Sequence, residues 1–342
     1  MKIAGVNAAG LMSKIESFEK LLLDEAPSIV CVQESKIRKP NQIKTESSKK
    51  YIIYELHRKN KSGGGLCIGV LKDLQPVWVA QGDDEVECLA VEVWVDEFPV
   101  RVVTAYGPQL GDCIERKRKF WDFLEREVLN ATQAGAGFIL QMDSNAHMGR
   151  DIFENDPNEQ NLNGKLFCEF LEKLPHLKIV NTLPLCEGTI TRTRTTTRGT
   201  EKSILDVFVT CDKILPYITK MIIDEKRVHA LTNFHAIKTT GHVIESDHNV
   251  NILEINMKFS SMKQERKEIF HFKNVASQQV FKKLTSDTSE FSDCFQTDKP
   301  FEEQAVKWRK VLNGFFQKSF KKVRVTNKTS KQFARLNDLM GR

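Results

Sequence analysis

Polar side chains (carboxylates, amides, a tyrosine and a histidine) recur in this chain where short apolar stretches begin or end. They are Asn7, Gln33, Glu34, Tyr106, Asp143, Asn145, Asp206, Asp247 and His248. A carboxylate at the mouth of a buried strand must be paired, hydrogen-bonded or bound to metal, because an isolated buried charge costs several kcal/mol. Several such groups at one end of a sheet would form a strongly negative pocket. A hard divalent cation would neutralise it, and oxygen ligands favour Mg²⁺ or Mn²⁺ over zinc.

Each of these motifs has a second interpretation when it is taken alone. The pattern Asp-x-Asn at 143–145 is common in turns, and Ser-Asp-His at 246–248 could cap a helix or lie in a loop. Glu34 could belong to a satisfied ion pair, which is the commoner situation of a partly buried glutamate. The order and spacing of the motifs together are what predict a single site.

The elements that must position these residues are many short strands and a few helices. β-Branched apolar runs separated by turn residues predict strands at 2–7, 28–33, 51–56, 65–71, 86–95, 100–106, 137–143, 177–181, 204–210 and 250–255. Helical periodicity predicts helices at 13–25, 113–132 and 164–174. This mixture excludes an all-β barrel, and its order is too irregular for a simple βαβ repeat. We therefore expect a pair of mixed sheets covered by helices.

Composition and cysteine usage are typical of a soluble intracellular protein. Hydrophobic residues make up 40% of the 342 residues and charged residues 28%. The apolar runs are far shorter than the roughly 20 residues that span a bilayer, and no extended apolar segment follows Lys2 as in a signal peptide. Eight cysteines include no Cys-x-x-Cys pair. Buried free thiols in a reducing compartment are expected, rather than a zinc site or disulfides.

The positive charge of the chain is concentrated at its carboxy-terminal end. Residues 258–342 hold 19 Lys+Arg and 9 Asp+Glu, whereas residues 1–257 hold 32 and 36. The strand pattern also stops near residue 258, and the pattern beyond it is typical of helices. We predict a sandwich domain over 1–257 and a basic helical segment over 258–342. The excess charge is explained either by a solvated helical face or by a polyanionic partner.

The order of the polar motifs resembles that of the endonuclease/exonuclease/phosphatase superfamily, which includes apurinic DNA-repair endonucleases and the N-terminal endonucleases of LINE-type (non-LTR) retrotransposons. The motifs that carry the resemblance are Asn7, Gln33-Glu34, Tyr106-Gly107-Pro108, Met142-Asp143-Ser144-Asn145, Leu205-Asp206 and Ser246-Asp247-His248. Their family counterparts are a strand-Asn start, Gln-Glu, Tyr-x-Pro, Gly-Asp-x-Asn, a late strand aspartate and Ser-Asp-His. The resemblance implies a two-sheet, four-layer α/β sandwich, here with an appended carboxy-terminal helical segment.

The resemblance also implies how the metal ion and the attacking water are held. By analogy with the family, Glu34 holds the metal, helped by Asp247 and Asn7. Asp143 orients or deprotonates the attacking water. Mg²⁺ is the expected cofactor, with Mn²⁺ as a substitute. This agrees with the general needs of phosphodiester hydrolysis, which are an activated in-line water and charge neutralisation on the phosphate.

The remaining site residues are expected at the phosphate itself. The resemblance implies that Asn145 contacts the phosphate and that Tyr106 hydrogen-bonds it. His248 would stabilise the pentavalent phosphorane and would itself be oriented by Asp206. An Asp–His pair is suited to this role because it supplies an imidazolium in a fixed orientation.

Two departures from the family pattern bear on the substrate. Met142 replaces the usual glycine before Asp143, which we expect to tighten the approach of a phosphate backbone. Repair-type enzymes carry an acidic residue shortly after the first asparagine, whereas residues 8–10 here are Ala-Ala-Gly. The second departure weakens the case for abasic-site repair and favours the retroelement branch.

A threonine- and arginine-rich segment at 189–198 lies just before the Asp206 strand. Its alternation predicts a β-hairpin with a basic tip. Threonine-rich strands are in any case good β-formers, but a hairpin in this region helps to choose the target in retroelement endonucleases. We therefore predict that Arg192, Thr193, Arg194 and Arg198 bind DNA, through phosphates or the minor groove.

Together these features predict a metal-dependent endonuclease, derived from a non-LTR (LINE-type) retrotransposon, that nicks duplex DNA and leaves a 3′-hydroxyl. A reverse transcriptase normally follows such a domain, and the basic segment resembles the start of the connector, with retroelement RNA as a possible partner. The DNA substrate implies a nuclear location. Three alternatives stay open: an abasic-site or 3′-end repair nuclease, a catalytically silent nucleic-acid-binding remnant, and a lipid or inositol-phosphate phosphodiesterase.

Overall fold

The computed structural model describes residues 1–58, 63–96 and 98–257, together with 268–270, 310–312, 314–315 and 322–324. The chain divides into two compact units, Met1–Ser261 and Met262–Arg342. The first unit contains every residue predicted for the site.

Among its described residues, the first unit contains fifteen strands and four α-helices. The strands are β1 (Lys2–Asn7), β2 (Ile29–Gln33), β3 (Tyr51–Leu56), β4 (Leu66–Leu71), β5 (Val77–Gln81), β6 (Glu87–Val95), β7 (Phe98–Tyr106), β8 (Gly137–Asp143), β9 (Leu177–Ile179), β10 (Cys186–Glu187), β11 (Arg192–Thr196), β12 (Gly199–Ser203), β13 (Asp206–Cys211), β14 (Ile218–Ile223) and β15 (Asn251–Ile255). The helices are α1 (Ile15–Asp24), α2 (Ile114–Gln133), α3 (Leu162–Lys173) and α4 (Phe234–Thr240). Short 3₁₀ turns occur at Met12–Lys14, Ser47–Lys50, Lys72–Leu74, Val180–Thr182 and Leu215–Tyr217.

Thirteen of these strands form two mixed sheets. The first sheet has the order β10-β14-β15-β1-β2-β4-β3, and the second has the order β5-β6-β7-β8-β13-β9. Parallel pairs are β1 with β2, β7 with β8 and β10 with β14, while the other neighbours are antiparallel. The remaining strands, β11 and β12, form a separate hairpin.

Alternation along the strands assigns apolar side chains to two different cores. In β2, Ile29 and Cys31 belong to the core that joins the two sheets. Val30 and Val32 belong to a second core, which also contains Phe18 of α1. Because successive side chains of a strand point to opposite faces, β2 is buried on both. Helix α1 therefore covers the outer face of the first sheet.

Helices α2 and α3 cover the second sheet through aromatic side chains. Trp121 of α2 stacks on Phe167 of α3, with ring centroids 5.0 Å apart and planes at 17°. All seven residues of β8 are buried, so this central strand is covered on both faces. The layers are thus α1, first sheet, second sheet, and α2 with α3. This confirms the predicted four-layer α/β sandwich.

A small polar layer lies between the sheets below the site. Gln33 Nε2 of the first sheet donates to Thr104 Oγ1 at 2.6 Å and to Gln141 Oε1 at 2.5 Å in the second. All three side chains are fully buried. Gln141 fits because Gly5 of β1 has no side chain, since a Cβ at Gly5 would lie 2.3 Å from Gln141 Cδ.

The predicted elements agree with those observed to within a few residues, and three strands and a helix were missed. Strands β5 and β10 lie at sheet edges and β14 lies next to β10, and exposed and buried residues do not alternate cleanly along them. Helix α4 has only seven residues, too few to show a periodicity. Its ends are nevertheless marked in the sequence: Asn233 caps the amino terminus, and Gly241 ends the helix with φ of 72°.

The described cysteines are free thiols, as predicted. Four of them, Cys31, Cys67, Cys88 and Cys211, are buried. Cys168 and Cys186 are only partly buried, and the prediction of burial is wrong for Cys113, which is exposed just before α2. Cys294 lies outside the described residues. No helix in the described part of the chain has both the length and the apolar character needed to cross a membrane.

The second unit is described only in part. Glu268–Phe270 pairs antiparallel with Lys322–Arg324, and residues 310–312 and 314–315 are helical. A strand pair differs from the purely helical segment that the sequence predicts. The rest of that segment lies outside the described residues, so the division at 257/258 stays a prediction.

The close contact between Gly5 and Gln141 gives a test of how the sheets pack. We expect Gly5→Ala to lower the free energy of unfolding by about 1–3 kcal/mol, because the added methyl group forces a buried, hydrogen-bonded side chain to move. Urea denaturation followed by circular dichroism measures this. Gly111→Ala is the matched control, since no atom lies within 4 Å of its added Cβ. Equal stability of the two variants would contradict the packing described.

Candidate active site

The predicted site residues lie at one end of the sandwich because the strand ends that carry them are neighbours. In the first sheet, β1 ends at Asn7 beside the end of β2, which Glu34 follows. In the second sheet, Asp143 ends β8 and is paired with Tyr106 of β7 on one side. On the other side it is paired with Asp206, which begins the antiparallel strand β13.

Asn7 links the two sheets at this end. Its Nδ2 donates to Asp143 Oδ2 at 2.8 Å and to Glu34 Oε1 at 3.1 Å. Its Oδ1 accepts a hydrogen bond from Ala9 N at 2.9 Å, so the amide nitrogen faces the carboxylates. A metal ion would need the amide oxygen, and hence a rotation of this side chain. The role of Asn7 as a metal ligand stays a prediction.

Glu34 is held by three side chains. Its Oε1 accepts hydrogen bonds from Asn7 and from the Tyr106 hydroxyl at 2.9 Å, and its Oε2 lies 3.1 Å from Lys36 Nζ. Burial alone would raise the pKa of Glu34, but the hydrogen bonds from Asn7 and Lys36 outweigh it and lower that pKa. The carboxylate is therefore charged at neutral pH, and its side chain keeps 21% of its surface exposed.

His248 lies between two buried carboxylates. Its Nδ1 is 2.8 Å from Asp206 Oδ2, and its Nε2 is 3.8 Å from Asp143 Oδ2. Burial would lower the pKa of His248, but the charges of Asp206 and Asp143 outweigh it and raise the pKa to about 9. Burial raises the pKa of Asp143 to about 6, against the effect of the His248 charge. The arrangement thus favours an imidazolium in a fixed orientation.

Asn145 lies in the turn that follows β8. Its backbone N donates to Asp143 Oδ1 at 3.0 Å, and its Nδ2 donates to Gly107 O at 2.8 Å. Its φ of 49° is in the left-handed region, which asparagine tolerates. Gly107 leaves no room for a side chain, because a Cβ there would lie 2.2 Å from Ser144 O. The loops after β7 and β8 are thus packed backbone against backbone.

Met142 does not narrow the approach to the site. Its side chain is fully buried on the face of the second sheet that α2 and α3 cover, because its neighbours Gln141 and Asp143 both contact the first sheet. Asp143, the next residue of the strand, points to the opposite face, as successive strand residues must. The expectation that Met142 tightens the approach of a phosphate backbone is therefore wrong.

The Ser-Asp-His loop is attached to the first sheet and to the hairpin. Ser246 Oγ donates to Asn7 O at 2.6 Å and accepts from His248 N at 3.2 Å. Asp247 Oδ2 forms an ion pair with Arg192 Nε at 2.8 Å, and 30% of the Asp247 side chain is exposed. Burial would raise the pKa of Asp247, but the charges of His248 and Arg192 outweigh it and lower that pKa.

The threonine-rich segment 189–198 forms the first strand and the turn of a hairpin, whose second strand, β12 (Gly199–Ser203), lies beyond the predicted segment. β11 and β12 pair along their whole length and leave residues 197–198 as a two-residue turn. Arg198 is therefore at the tip, and Arg194 is also exposed. Thr193 and Arg192 are partly buried, and Arg192 reaches the site itself. DNA binding by these four residues stays a prediction.

Thr191 is a site residue that sequence reasoning missed. It is fully buried, and its Oγ1 accepts hydrogen bonds from Leu205 N at 2.8 Å and Asp206 N at 3.0 Å. Its carbonyl accepts from Asn249 N at 2.7 Å. Thr191 thus fixes the start of β13 relative to the base of the hairpin. Nothing in the sequence distinguishes it from the exposed threonines that follow.

Two lysines near Asn7 and Glu34 were also missed. Lys36 forms the ion pair with Glu34 described above, and its only sequence signal is its position two residues later. Lys14 is buried, and its Nζ donates to Ala9 O at 3.0 Å in the loop after Asn7. Burial, with the nearby Lys36 charge, lowers the pKa of Lys14. These lysines supply fixed positive charge beside the carboxylates.

The donor set of this pocket fits a hard divalent cation. Glu34 and Asp247 offer partly exposed carboxylate oxygens, and Asp247 Oδ1 lies outside the ion pair that Oδ2 forms with Arg192. Asp143, Asp206 and His248 form a second, fully buried group that could hold a metal ion, with candidate atoms within 4.8 Å of one another. Because His248 already donates a hydrogen bond to Asp206, this buried trio is better suited to hold a proton than a metal ion. We therefore favour the partly exposed oxygens as ligands.

Comparison with solved structures identifies the fold. The endonuclease domain of TRAS1, a telomere-specific non-LTR retrotransposon, superposes with a TM-score of 0.52 at 16% identity, covering 74% of this chain and 97% of that one. The 3′-5′ exonuclease NExo of Neisseria meningitidis gives 0.55 at 17% identity, covering 75% and 100%. An AP endonuclease from Archaeoglobus fulgidus gives 0.51 at 16%, covering 75% and 99%. The chain has the endonuclease/exonuclease/phosphatase fold. This confirms the fold that the sequence resemblance implies.

Sequence comparison with curated proteins also finds a DNA endonuclease. A DNA-(apurinic or apyrimidinic site) endonuclease of Dictyostelium discoideum is 27% identical over 190 residues, which is 51% of this chain and 51% of that protein. The chain thus spans about half the length of the curated relative it matches. No family model matches the chain.

The position of Thr191 under Asp206 can be tested by removing its hydroxyl. We expect Thr191→Val to lower the free energy of unfolding by about 2–3 kcal/mol, because two buried backbone N–H groups lose their acceptor. Chemical denaturation measures the change. Thr195→Val, at an exposed position of β11, the strand that follows Thr191, should alter stability by less than about 0.5 kcal/mol. Similar effects of both substitutions would show that Thr191 does not have the proposed role.

Proposed function

We propose that this protein is a divalent-metal-dependent phosphodiesterase that nicks duplex DNA and leaves a 3′-hydroxyl, with Mg²⁺ as its cofactor. The observation that carries the proposal is the row Asp143–His248–Asp206, joined through Asn7 to Glu34. It combines a fixed imidazolium, a carboxylate of raised pKa and a partly exposed carboxylate within one pocket. These are the groups that phosphodiester hydrolysis requires.

The proposed roles follow from the position of each group. Asp143 is the base that orients or deprotonates the attacking water, since a pKa of about 6 suits a general base near neutral pH. His248, protonated and held by Asp206, stabilises the negative charge that develops on the phosphate. Glu34 and Asp247 would hold the metal ion. A bound divalent ion supplies Lewis-acid neutralisation of the phosphate oxygens.

The other two groups complete the phosphate site. Tyr106 donates its hydroxyl hydrogen to Glu34, and burial, with the nearby charges of Asp143 and Glu34, raises the pKa of Tyr106. It therefore remains a neutral hydrogen-bond donor at any physiological pH. Asn145, anchored on Gly107 and Asp143, would present its amide to the phosphate after exchanging the bond to Gly107.

Intact duplex DNA is the substrate that we favour, in the manner of a LINE-type retroelement endonuclease. The basic hairpin beside the site supports this choice. Residues 8–10, Ala-Ala-Gly, lack the acid that repair enzymes carry after the first asparagine. A DNA substrate would place the protein in the nucleus.

An abasic-site repair nuclease is the second candidate. Its support is the Dictyostelium discoideum apurinic-site endonuclease, 27% identical over 190 residues. Cleavage of an abasic duplex and of an intact A/T-rich duplex of the same length, compared by kcat/KM, separates the two candidates. A strong preference for the abasic duplex would overturn our first choice.

The catalytic roles predict a large loss of activity on substitution. His248→Ala and Asp143→Ala should each reduce the rate of Mg²⁺-dependent nicking of supercoiled plasmid by about 10²–10⁴-fold, since each removes a group that acts in proton transfer or charge stabilisation. Chelation by EDTA should abolish nicking by the wild type. The nicks should be extended by a DNA polymerase without prior treatment, which reports a 3′-hydroxyl.

A histidine at the opposite end of the second sheet provides the control. His176 directly precedes β9, and β9 pairs with the far end of β13, away from Asp206. His176→Ala should nick plasmid at the wild-type rate. Near-equal nicking by wild type, His248→Ala and Asp143→Ala would instead exclude the mechanism.

A further inference from the structure

Arg192 differs from the other arginines of the hairpin in the partner of its side chain. It is the first residue of β11, and its Nε lies 2.8 Å from Asp247 Oδ2. Its side chain is 24% exposed. Arg194 is two residues further along the same strand, and it is exposed. The charge of Arg192 is thus already paired inside the pocket, whereas that of Arg194 is available to a polyanion.

The backbone around Arg192 joins the hairpin to the Ser-Asp-His loop. Arg192 and His248 form an isolated antiparallel β-bridge. Thr193 N donates to Asp247 O at 2.8 Å, and Asn249 N donates to Thr191 O at 2.7 Å. The three residues of the hairpin base therefore contact three consecutive residues of the loop that carries the catalytic histidine.

Asp247 depends on Arg192 for its orientation. One carboxylate oxygen, Oδ2, is held by Arg192, and the other, Oδ1, is 3.9 Å from His248 Nε2. Without the arginine, a side chain that is 30% exposed would be free to adopt other rotamers. Removal of a side chain that orients a metal-binding residue commonly lowers metal affinity or activity by about 10–100-fold.

We propose that Arg192 is a positioning residue that holds Asp247 for catalysis, and that it is not one of the DNA contacts of the hairpin. This inference rests on the proposed nuclease function. It divides the basic hairpin into two parts, a base that orders the pocket and a tip, with Arg194 and Arg198, that engages DNA. Strand β11 connects the tip, where DNA would bind, to the loop that carries His248.

The division predicts opposite kinetic effects for two neighbouring arginines. Arg192→Ala should lower kcat for nicking by about 10–100-fold and change KM for DNA little. Arg194→Ala should mainly raise KM, because it removes a phosphate contact. Arg126→Ala, an exposed arginine of α2, controls for the loss of one positive charge. Arg192→Lys keeps the charge and a donor, and it should recover part of kcat.

DNA binding without cleavage gives a readout that is independent of turnover. Equilibrium binding of a duplex is measured in EDTA over a range of salt concentrations. Arg194→Ala should reduce the slope of log K against log salt by about one, since one phosphate contact is lost. Arg192→Ala should leave the slope at the value of the Arg126→Ala control. An equal loss of slope for Arg192→Ala would overturn the proposal.

A double-mutant cycle tests whether Arg192 acts through Asp247. If it does, Arg192→Ala should reduce kcat of the wild type but cause no further loss in an Asp247→Ala background. If the two substitutions reduce kcat independently, so that their effects multiply, the proposal is contradicted. Circular dichroism checks that all the variants are folded. If the wild-type protein nicks no DNA at all, the proposed function fails, and the salt dependence of binding still decides whether Arg192 contacts DNA.

Discussion

The burial of charge at the end of an apolar sandwich is the constraint on which this site depends. Asp143 and Asp206 are paired across β8 and β13, and both are almost completely inaccessible to solvent. The mutual repulsion of two neighbouring carboxylates adds to the cost of desolvation, so a cation placed between them is strongly stabilising. His248 resolves the conflict by lying between them with a pKa raised to about 9. The same contacts fix the imidazole in the orientation that catalysis would use. The ion pairs that stabilise the buried charges therefore also position the proposed catalytic histidine.

Polar contacts join the two sheets both in the interior and at the site. Gln33 binds Thr104 and Gln141 in the interior. One step nearer the surface, Asn7 joins Glu34 of the first sheet to Asp143 of the second. Hydrogen bonds of this kind are directional, so they fix the relative position of the sheets more narrowly than apolar packing does. The opposing carboxylates can therefore be held within hydrogen-bonding range of one amide.

Sequence patterns could predict the members of the site because each lies at a strand end or within a few residues of one, and strand ends are visible as breaks in apolar runs. They could not predict how the members contact one another. The orientation of the Asn7 amide is set by Ala9 N, and the burial of Met142 is set by strand parity. Thr191 shows the limit most clearly. The threonines that follow it in the sequence are chemically identical. Thr191 differs from them only because the start of β13 packs beside it, so that its hydroxyl accepts hydrogen bonds from two buried backbone N–H groups.

The fold alone does not decide between the two candidate functions, since a retrotransposon endonuclease domain and an AP endonuclease superpose on this chain with TM-scores of 0.52 and 0.51. The choice of substrate must therefore depend on particular residues and loops. In this chain the hairpin of β11 and β12 is a candidate, because its base is hydrogen-bonded to the loop of Asp247 and His248. A substrate that engages the hairpin acts on the same short segment that orients both residues. Selection of DNA and order in the pocket would then depend on one set of contacts, and a change in hairpin sequence would alter both.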